Sequence, residues 1–214
     1  LLQKKTTGYI GFDCTSDSLH VGSLLPIMLL RLFQKCGHKP IILVGGGTTL
    51  IGDPSGKDET RKILSDDDIK KNKQGLNQIF KRFLSFDRTK DNCAELIDNL
   101  EWLEKLNLIP FLRDIGSKFS VNKMLGLESI KQRLAREQHL SFLEFNYSIM
   151  QAYDFMILNE KYNCQIQFGG SDQWGNIVSG IDLVKKIKNL QLYGLTSPLV
   201  TTSSGNKMGK TAEG

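Results

Sequence analysis

Pro40-Ile41-Ile42-Leu43-Val44 is an unbroken apolar run that ends on Gly45-Gly46-Gly47. A strand with no polar side has nothing to offer water and must be covered on both faces, as inner strands of parallel sheets are. The surrounding chain is punctuated to match. Tyr9 to Cys14 reads as a short strand, then an apolar-periodic helix from about Leu19 to Cys36 stops at Gly37. Ser65 is placed to cap a helix with Asp66, Asp67 and Asp68 in its first turn, where the helix dipole favours carboxylates. That helix turns Ile79, Phe80, Phe83 and Leu84 inward. A strand near Ala94 to Ile97 precedes mainly helical sequence from Leu100 to Asn159. Gln165-Ile166-Gln167-Phe168 is another strand, ending at Gly169-Gly170. A helix from about Asp172 to Ile187 follows, with Leu199 to Thr202 as a last short strand. This alternation predicts an α/β fold with a doubly wound parallel sheet, one domain over residues 1–214, with a helical insertion at about 100–160. Ligands of such sheets bind beyond the carboxyl ends of the strands, where Gly11-Phe12-Asp13, Gly45-Gly46-Gly47 and Gly169-Gly170-Ser171-Asp172-Gln173 all fall, so one shared crevice is expected.

A chain of 214 residues, 40% hydrophobic and 24% charged, has the size and composition of a globular domain with its own core. Its richest apolar stretch, Leu24 to Leu30, is far too short to span a bilayer, so no membrane partner is expected. The chain opens on Leu1-Leu2 without a signal-peptide pattern and closes on the loop-like Lys210 to Gly214, so both ends are expected to be cuts. The net charge of +5 favours polyanionic partners such as nucleic acid or nucleotide phosphates. Cys14, Cys36, Cys93 and Cys164 are scattered without Cys-x-x-Cys spacing, so neither a disulfide framework nor a zinc site is expected and no metal ligand is assigned.

Four segments carry chemistry. Between Asp13 and Ser23 a strand gives way to a helix, whose free N–H groups and partial positive charge suit phosphate; Thr15 and His20 could donate to it, and Gly22 permits close approach. The plainer reading has Asp17 or Ser18 capping a helix and His20 as a surface residue. Gly52-Asp53-Pro54-Ser55-Gly56-Lys57 is no Walker loop, having three residues between its glycines where four are needed and Asp58 after the lysine. Gly45-Gly46-Gly47 likewise fails the dinucleotide fingerprint, which excludes a dinucleotide oxidoreductase. A helix expected from Ser141 to Asn159 is apolar nearly all round, yet Tyr147, Gln151 and Asp154 form one narrow polar stripe at i, i+4 and i+7. Such a stripe is stable only if hydrogen-bonded, by a structural network or by a small polar ligand for which it forms the pocket floor. Asp172 at a helix start suits a cap and equally a ribose hydroxyl. Ser203 to Thr211 is a loop with two lysines, able to be a solvated turn or to close over a polyphosphate.

In combination and order these segments resemble the tyrosyl-tRNA synthetases. Gly11 to Ser23 is similar to the first class I aminoacyl-tRNA synthetase signature, with His20-Val21-Gly22-Ser23 where His-Ile-Gly-His is usual. Lys207-Met208-Gly209-Lys210-Thr211 resembles the second, Lys-Met-Ser-Lys-Ser, and Gly52 to Lys57, Tyr147 to Asp154 and Gly169 to Asn176 are similar to segments between them. The resemblance implies a Rossmann-like catalytic domain that uses ATP to activate L-tyrosine as tyrosyl-adenylate, releases pyrophosphate, and passes tyrosine to the 3′ end of tRNA(Tyr). It implies that Tyr9 and Asp154 meet the phenol hydroxyl, that Asp53, Tyr147 and Gln151 hold the ammonium, and that Gln173 lies near the carboxylate. Gly11, Asp13, Gly22, Ser23, Gly170 and Asp172 would contact the nucleoside, and Thr15, His20, Lys57, Arg61, Lys207, Lys210 and Thr211 would surround the phosphates. Mg2+ would come with the nucleotide, without protein ligands of its own. The family also implies a homodimer through the helical insertion with Phe142 at the interface, an anticodon-binding region after the second signature, and a bacterial cytoplasmic or organellar location. Ser23 in place of the second His, and Ile10 where some relatives carry Cys, alter the expected ribose contacts. The competing readings are a tryptophanyl-type synthetase and a synthetase-derived RNA-binding or splicing cofactor.

Overall fold

The computed structural model describes residues 3–50, 64–202 and 208. Among them, strands β1 (Thr7–Asp13), β2 (Lys39–Gly45), β3 (Glu95–Asp98), β4 (Cys164–Gly170) and β5 (Tyr193–Ser197) form one sheet in the order β3-β2-β1-β4-β5. Each neighbouring pair is parallel. The order reverses at β1, with β2 and β3 on one side and β4 and β5 on the other, so the switch point lies between β1 and β4.

Helices cover both faces, as the apolar run in β2 requires. They are α1 (Leu24–Lys35), α2 (Gly46–Thr49), α3 (Asp66–Phe83), α4 (Leu100–Leu103), α5 (Leu108–Asp114), α6 (Val121–Leu125), α7 (Glu128–Ala135), α8 (Phe142–Phe145), α9 (Tyr147–Tyr162) and α10 (Trp174–Lys188). Strand alternation sorts the core into two layers. Tyr9, Ile41, Leu43 and Ile97 pack with Phe155 and Leu158 of α9 and Leu183 of α10. Ile10, Phe12, Ile42, Val44, Ile166 and Phe168 pack with Ile27 and Leu30 of α1 and Leu76 and Phe80 of α3. None of the described helices is long and apolar enough to cross a membrane.

The structure moves several expected boundaries. The helix expected from Leu19 begins only at Leu24, after a short 3-10 turn at Val21–Ser23, and Pro26 sits in its first turn, where a missing N–H is harmless. The helix expected to run from Ser141 to Asn159 is two, α8 and α9, parted at Asn146. There Asn146 Nδ2 donates to Phe142 O at 2.7 Å, an oxygen that also accepts from Asn146 N at 3.1 Å. The last strand of the sheet is Tyr193–Ser197, not 199–202; of the latter only Thr201 pairs in strand fashion. As a half-exposed edge strand with Gly194 inside it, β5 lacks the apolar alternation that marks the others. The interval between β3 and β4 is helical and broken into several pieces.

The capping box foreseen at Ser65 is present: Ser65 Oγ accepts from Asp68 N at 3.2 Å and Asp68 Oδ2 accepts from Ser65 N at 3.2 Å. The α3 helix so started clamps the loop after β1. Asn72 Nδ2 donates to Cys14 O at 2.7 Å, while Cys14 N donates to Thr49 Oγ1 at 2.8 Å, so two other elements hold the backbone N–H and C=O of one residue. At Gly75 the helix backbone lies so near the loop that an added Cβ would fall 2.2 Å from Asp17 O. On an open helix face Gly→Ala gains about 1 kcal/mol. Here the sign reverses: Gly75→Ala should lose about 1–3 kcal/mol through the backbone shift it forces. Urea unfolding measures this, and a variant as stable as the wild type would contradict the clamp.

Candidate active site

Beyond the carboxyl ends of β1 and β4, at the switch point, lies an open cavity of about 310 Å³. Its wall joins the end of β1, the loop that α3 holds, the turn after β2, one face of α9 and the end of β4. The three glycine-bearing strand ends do meet here, with Gly11, Gly45, Gly169 and Gly170 all in the wall.

The polar stripe on α9 faces this cavity: Tyr147, Gln151 and Asp154 all line it. Each also has a protein partner. Tyr147 Oη lies 3.3 Å from Asp13 Oδ2, and Gln151 Nε2 makes a long contact of 3.4 Å to Gln173 Oε1. Asp154, only 2% exposed, accepts from Asn99 Nδ2 at 2.9 Å and from Trp102 Nε1 at 2.7 Å. The structural network and the pocket floor were alternatives in the sequence; they coexist in the fold. Three buried atoms in this wall lack any partner among the described residues, Tyr9 Oη, Gln151 Oε1 and Gln167 Oε1. Burial, reinforced by the charge of Asp154 and then by Cys164, holds the Tyr9 phenol well above its ordinary pKa, so it stays a donor. Burial also pushes Asp154 up to about 7, against the pull of the Asn99 and Trp102 donors and with added repulsion from Asp13 and Asp98.

The other described residues named from the sequence come together in the same cavity. Asp13, Thr15, His20, Gly22, Ser23, Gly170, Asp172 and Gln173 line it along with Gly11, beside which an added Cβ would meet nothing within 4 Å. Asp13 Oδ1 accepts from Thr48 Oγ1 at 2.9 Å. Gly22 allows a close approach, though of protein: a Cβ there would lie 2.6 Å from Met208 O and 2.9 Å from the His20 ring. The two signature segments therefore touch, and Met208 N is tied to Val200 O at 2.8 Å. Neither Asp17 nor Ser18 caps a helix; the 3-10 turn starts from His20 without a side-chain cap. The Ile10 side chain belongs to the core layer on the opposite face of the sheet, so it offers the cavity no polar group. Asp53, Lys57, Arg61, Lys207, Lys210 and Thr211 lie outside the described residues. Among the described residues no group of three His, Cys, Asp or Glu is placed to hold a metal.

Three cavity residues escaped the sequence reading: Thr48, Asn99 and Gln167. Asn99 is the hub, since its Nδ2 also reaches Thr48 Oγ1 at 3.1 Å and its Oδ1 accepts from Gly47 N at 2.8 Å. It stands just past the carboxyl end of β3, the kind of position that drew attention at β1 and β4, but without a glycine to mark it.

The family model described as tRNA synthetases class I (W and Y) matches residues 2–214. A tyrosine–tRNA ligase of Rickettsia massiliae (strain Mtu5) is 59% identical over 212 residues, which are 99% of this chain and 51% of that protein. One of Orientia tsutsugamushi (strain Ikeda) is 59% identical over 96% of this chain and 50% of its own. The chain thus spans about half the length of the curated relatives it matches. A C-terminally truncated mitochondrial tyrosyl-tRNA synthetase of Coccidioides posadasii superposes with a TM-score of 0.81 at 32% identity, over 97% of this chain and 62% of that one.

The raised pKa of Asp154 has a measurable consequence. The folded state holds a proton that the unfolded state releases near the ordinary value of 3.8, so stability falls as pH rises from about 4 to about 7. The contribution approaches about 1.4 kcal/mol per pH unit at its steepest. Denaturant unfolding from pH 4 to 8 should show this slope in the wild type and a flatter one in Asp154→Asn. Equal slopes in the two proteins would contradict the assigned titration.

Proposed function

Because the chain belongs to the class I tRNA synthetases of the tryptophan and tyrosine group, we propose that it activates L-tyrosine with ATP for transfer to tRNA(Tyr). The observation that carries this reading is Tyr9 Oη, buried and unpartnered among the described residues, in the same cavity wall as Asp154. A ring hydroxyl placed between them would satisfy Tyr9, whereas phenylalanine would leave it desolvated and unpaired, a loss of about 1–3 kcal/mol. Asp154 is less dependent on the ligand than the sequence implied, since Asn99 and Trp102 already bond it. An indole N–H can only donate and suits this pair less well, which favours tyrosine over tryptophan, as does the likeness to ligases named for tyrosine.

With the ring at this end, Tyr147, Gln151 and Asp53 would hold the ammonium and Gln173 would lie by the carboxylate. One carboxylate oxygen then attacks the α-phosphorus of ATP in line, and the bond to pyrophosphate breaks on the far side. The terminal tRNA hydroxyl next attacks the carbonyl carbon of the mixed anhydride, and AMP leaves. No side chain forms a covalent bond; the rate comes from positioning and from stabilising phosphate charge. Thr15 and His20, which share the cavity wall with Gly11, Gly170 and Asp172, would take part in that work, with Lys57, Arg61, Lys207, Lys210 and Thr211 assigned to it by the family resemblance. Magnesium would arrive with the nucleotide and neutralise phosphate charge; we assign it no protein ligands.

The partner assignments rest on surface character. The region between β3 and β4 exposes Leu108 (68%), Ile109 (70%), Val121 (59%) and Phe142 (79%), apolar side chains suited to a second copy of the chain. The excess of 28 Lys and Arg over 23 Asp and Glu suits tRNA. Likeness to rickettsial ligases supports a bacterial-type, cytoplasmic enzyme.

ATP–pyrophosphate exchange tests the activity: tyrosine should support it far better than tryptophan or phenylalanine. Faster exchange with tryptophan would make this a tryptophanyl-type enzyme, and tight RNA binding without exchange would favour the splicing-cofactor alternative. For the dimer, Phe142→Asp should shift the sedimenting species to the monomer without impairing folding; a wild-type monomer at micromolar concentration would remove that assignment.

A further inference from the structure

A glutamine in a binding cavity can show a ligand either of two ends. Its oxygen accepts and its nitrogen donates, and a half-turn about the last side-chain bond exchanges them. Gln173 is such a residue: it closes the 3-10 turn Ser171–Gln173 after β4 and lines the cavity. The bare backbone at Gly169 lets it sit close to the strand, since an added Cβ there would lie 3.0 Å from Gln173 Cβ. Which end of its carboxamide is committed to the protein decides what the other end can recognise.

A neighbour outside the cavity wall makes that commitment. Asn176, in the first turn of α10, is 8% exposed and is not among the residues that line the cavity. Its Nδ2 donates to Gln173 Oε1 at 3.2 Å. Gln151 Nε2, from α9, approaches the same oxygen at 3.4 Å, a long contact. Two amide nitrogens thus converge on the Gln173 oxygen, the closer of them from Asn176. Turning the carboxamide round would set its own NH2 against both donors.

Resting on the reading that the cavity takes tyrosine, we infer that Asn176 is a positioning residue, which holds the Gln173 oxygen and so commits the Gln173 nitrogen to the carboxylate of the amino acid. A carboxylate only accepts, and an N–H donor binds it with the added strength of its charge. An amide oxygen in the same place would repel it. A donor on one carboxylate oxygen also leaves the other to attack phosphorus from a fixed position.

The experiment compares binding of tyrosine with binding of tyramine, which keeps the ring and the ammonium but has no carboxylate, to the 214-residue chain. Asn176→Asp keeps the shape of the side chain and can only accept, and a carboxylate in the first turn of a helix is well tolerated. Gln173 should then turn its nitrogen toward the new acceptor and its oxygen toward the ligand. Tyrosine affinity should fall at least about tenfold, while tyramine affinity changes by less than about threefold. Equal losses for the two ligands would make Asn176 a structural residue and overturn the inference, as would an unchanged tyrosine affinity. A Gln173→Met background separates orientation from the added charge: there Asn176→Asp should change tyrosine affinity by less than about threefold. A full loss in that background would show the charge acting directly and would also overturn the inference. A wild type that binds no tyrosine removes the functional reading and this inference with it. Should Asn176→Asp not fold, Asn176→Ala removes the donor without adding charge. It should weaken tyrosine at least about threefold and tyramine less than about twofold, and equal effects on both refute the role.

Discussion

Asp154 meets Asn99 and Trp102 inside an apolar layer, and the order of the elements around the cavity follows from keeping those donors in place. A carboxylate buried to this degree is tolerated only where donors replace the water it has lost. Asn99 cannot serve Asp154 unless it is itself fixed, and the backbone N–H of Gly47 fixes it by donating to its Oδ1. Through Thr48 the same set of bonds reaches Asp13, and through Asp13 the hydroxyl of Tyr147, back on the helix that carries Asp154. The turn after β2, the end of β3, the end of β1 and α9 are thereby closed into one ring of polar contacts. Nearby, Asp98 accepts from Gly46 N and Leu100 N and pairs with Lys73 of α3, so the same turn is held from outside as well.

The cavity needs such support because the sheet alone does not enclose it. At the switch point the helices after β1 and β4 depart to opposite faces and leave a cleft, whose walls are loops and strand ends. One of these loops, between Cys14 and His20, is held by side chains rather than by regular structure: Thr49 and Asn72 bond the Cys14 N–H and C=O, and Gly75 lets α3 come close enough for this. Where Gly22 meets Met208 O, two segments far apart in the chain share one edge of the site. Preorganisation of this kind is what catalysis by positioning demands, since a reacting carboxylate and phosphate gain most when neither has to be reoriented.

Electrostatics divide the cavity into two ends of different character. Around Tyr9 and Asp154 desolvation dominates: it keeps the Tyr9 phenol protonated and brings Asp154 to about 7. Elsewhere the wall combines glycines, hydroxyls and His20 with the carboxylates of Asp13 and Asp172.

Much of this was legible in the residues themselves. Pro40 to Val44 demanded cover on both faces, the serine and three aspartates at 65–68 marked a helix start, and the spacing of Tyr147, Gln151 and Asp154 put them on one face; local sterics and periodicity decide such things. The edge strand Tyr193–Ser197 was less legible, because sheet pairing rather than composition makes it. Asn99, Thr48 and Gln167 could not be read as site residues at all, since each owes its place to a partner dozens of residues away: Asp154, Asp13 and Tyr9 respectively. Sequence alone determined the layers, the strand ends and the polar stripe. Only the folded chain decided which buried groups would satisfy one another and which would be left facing a ligand, because hydrogen bonding is short-ranged and is settled by distances that exist only once the strands have paired.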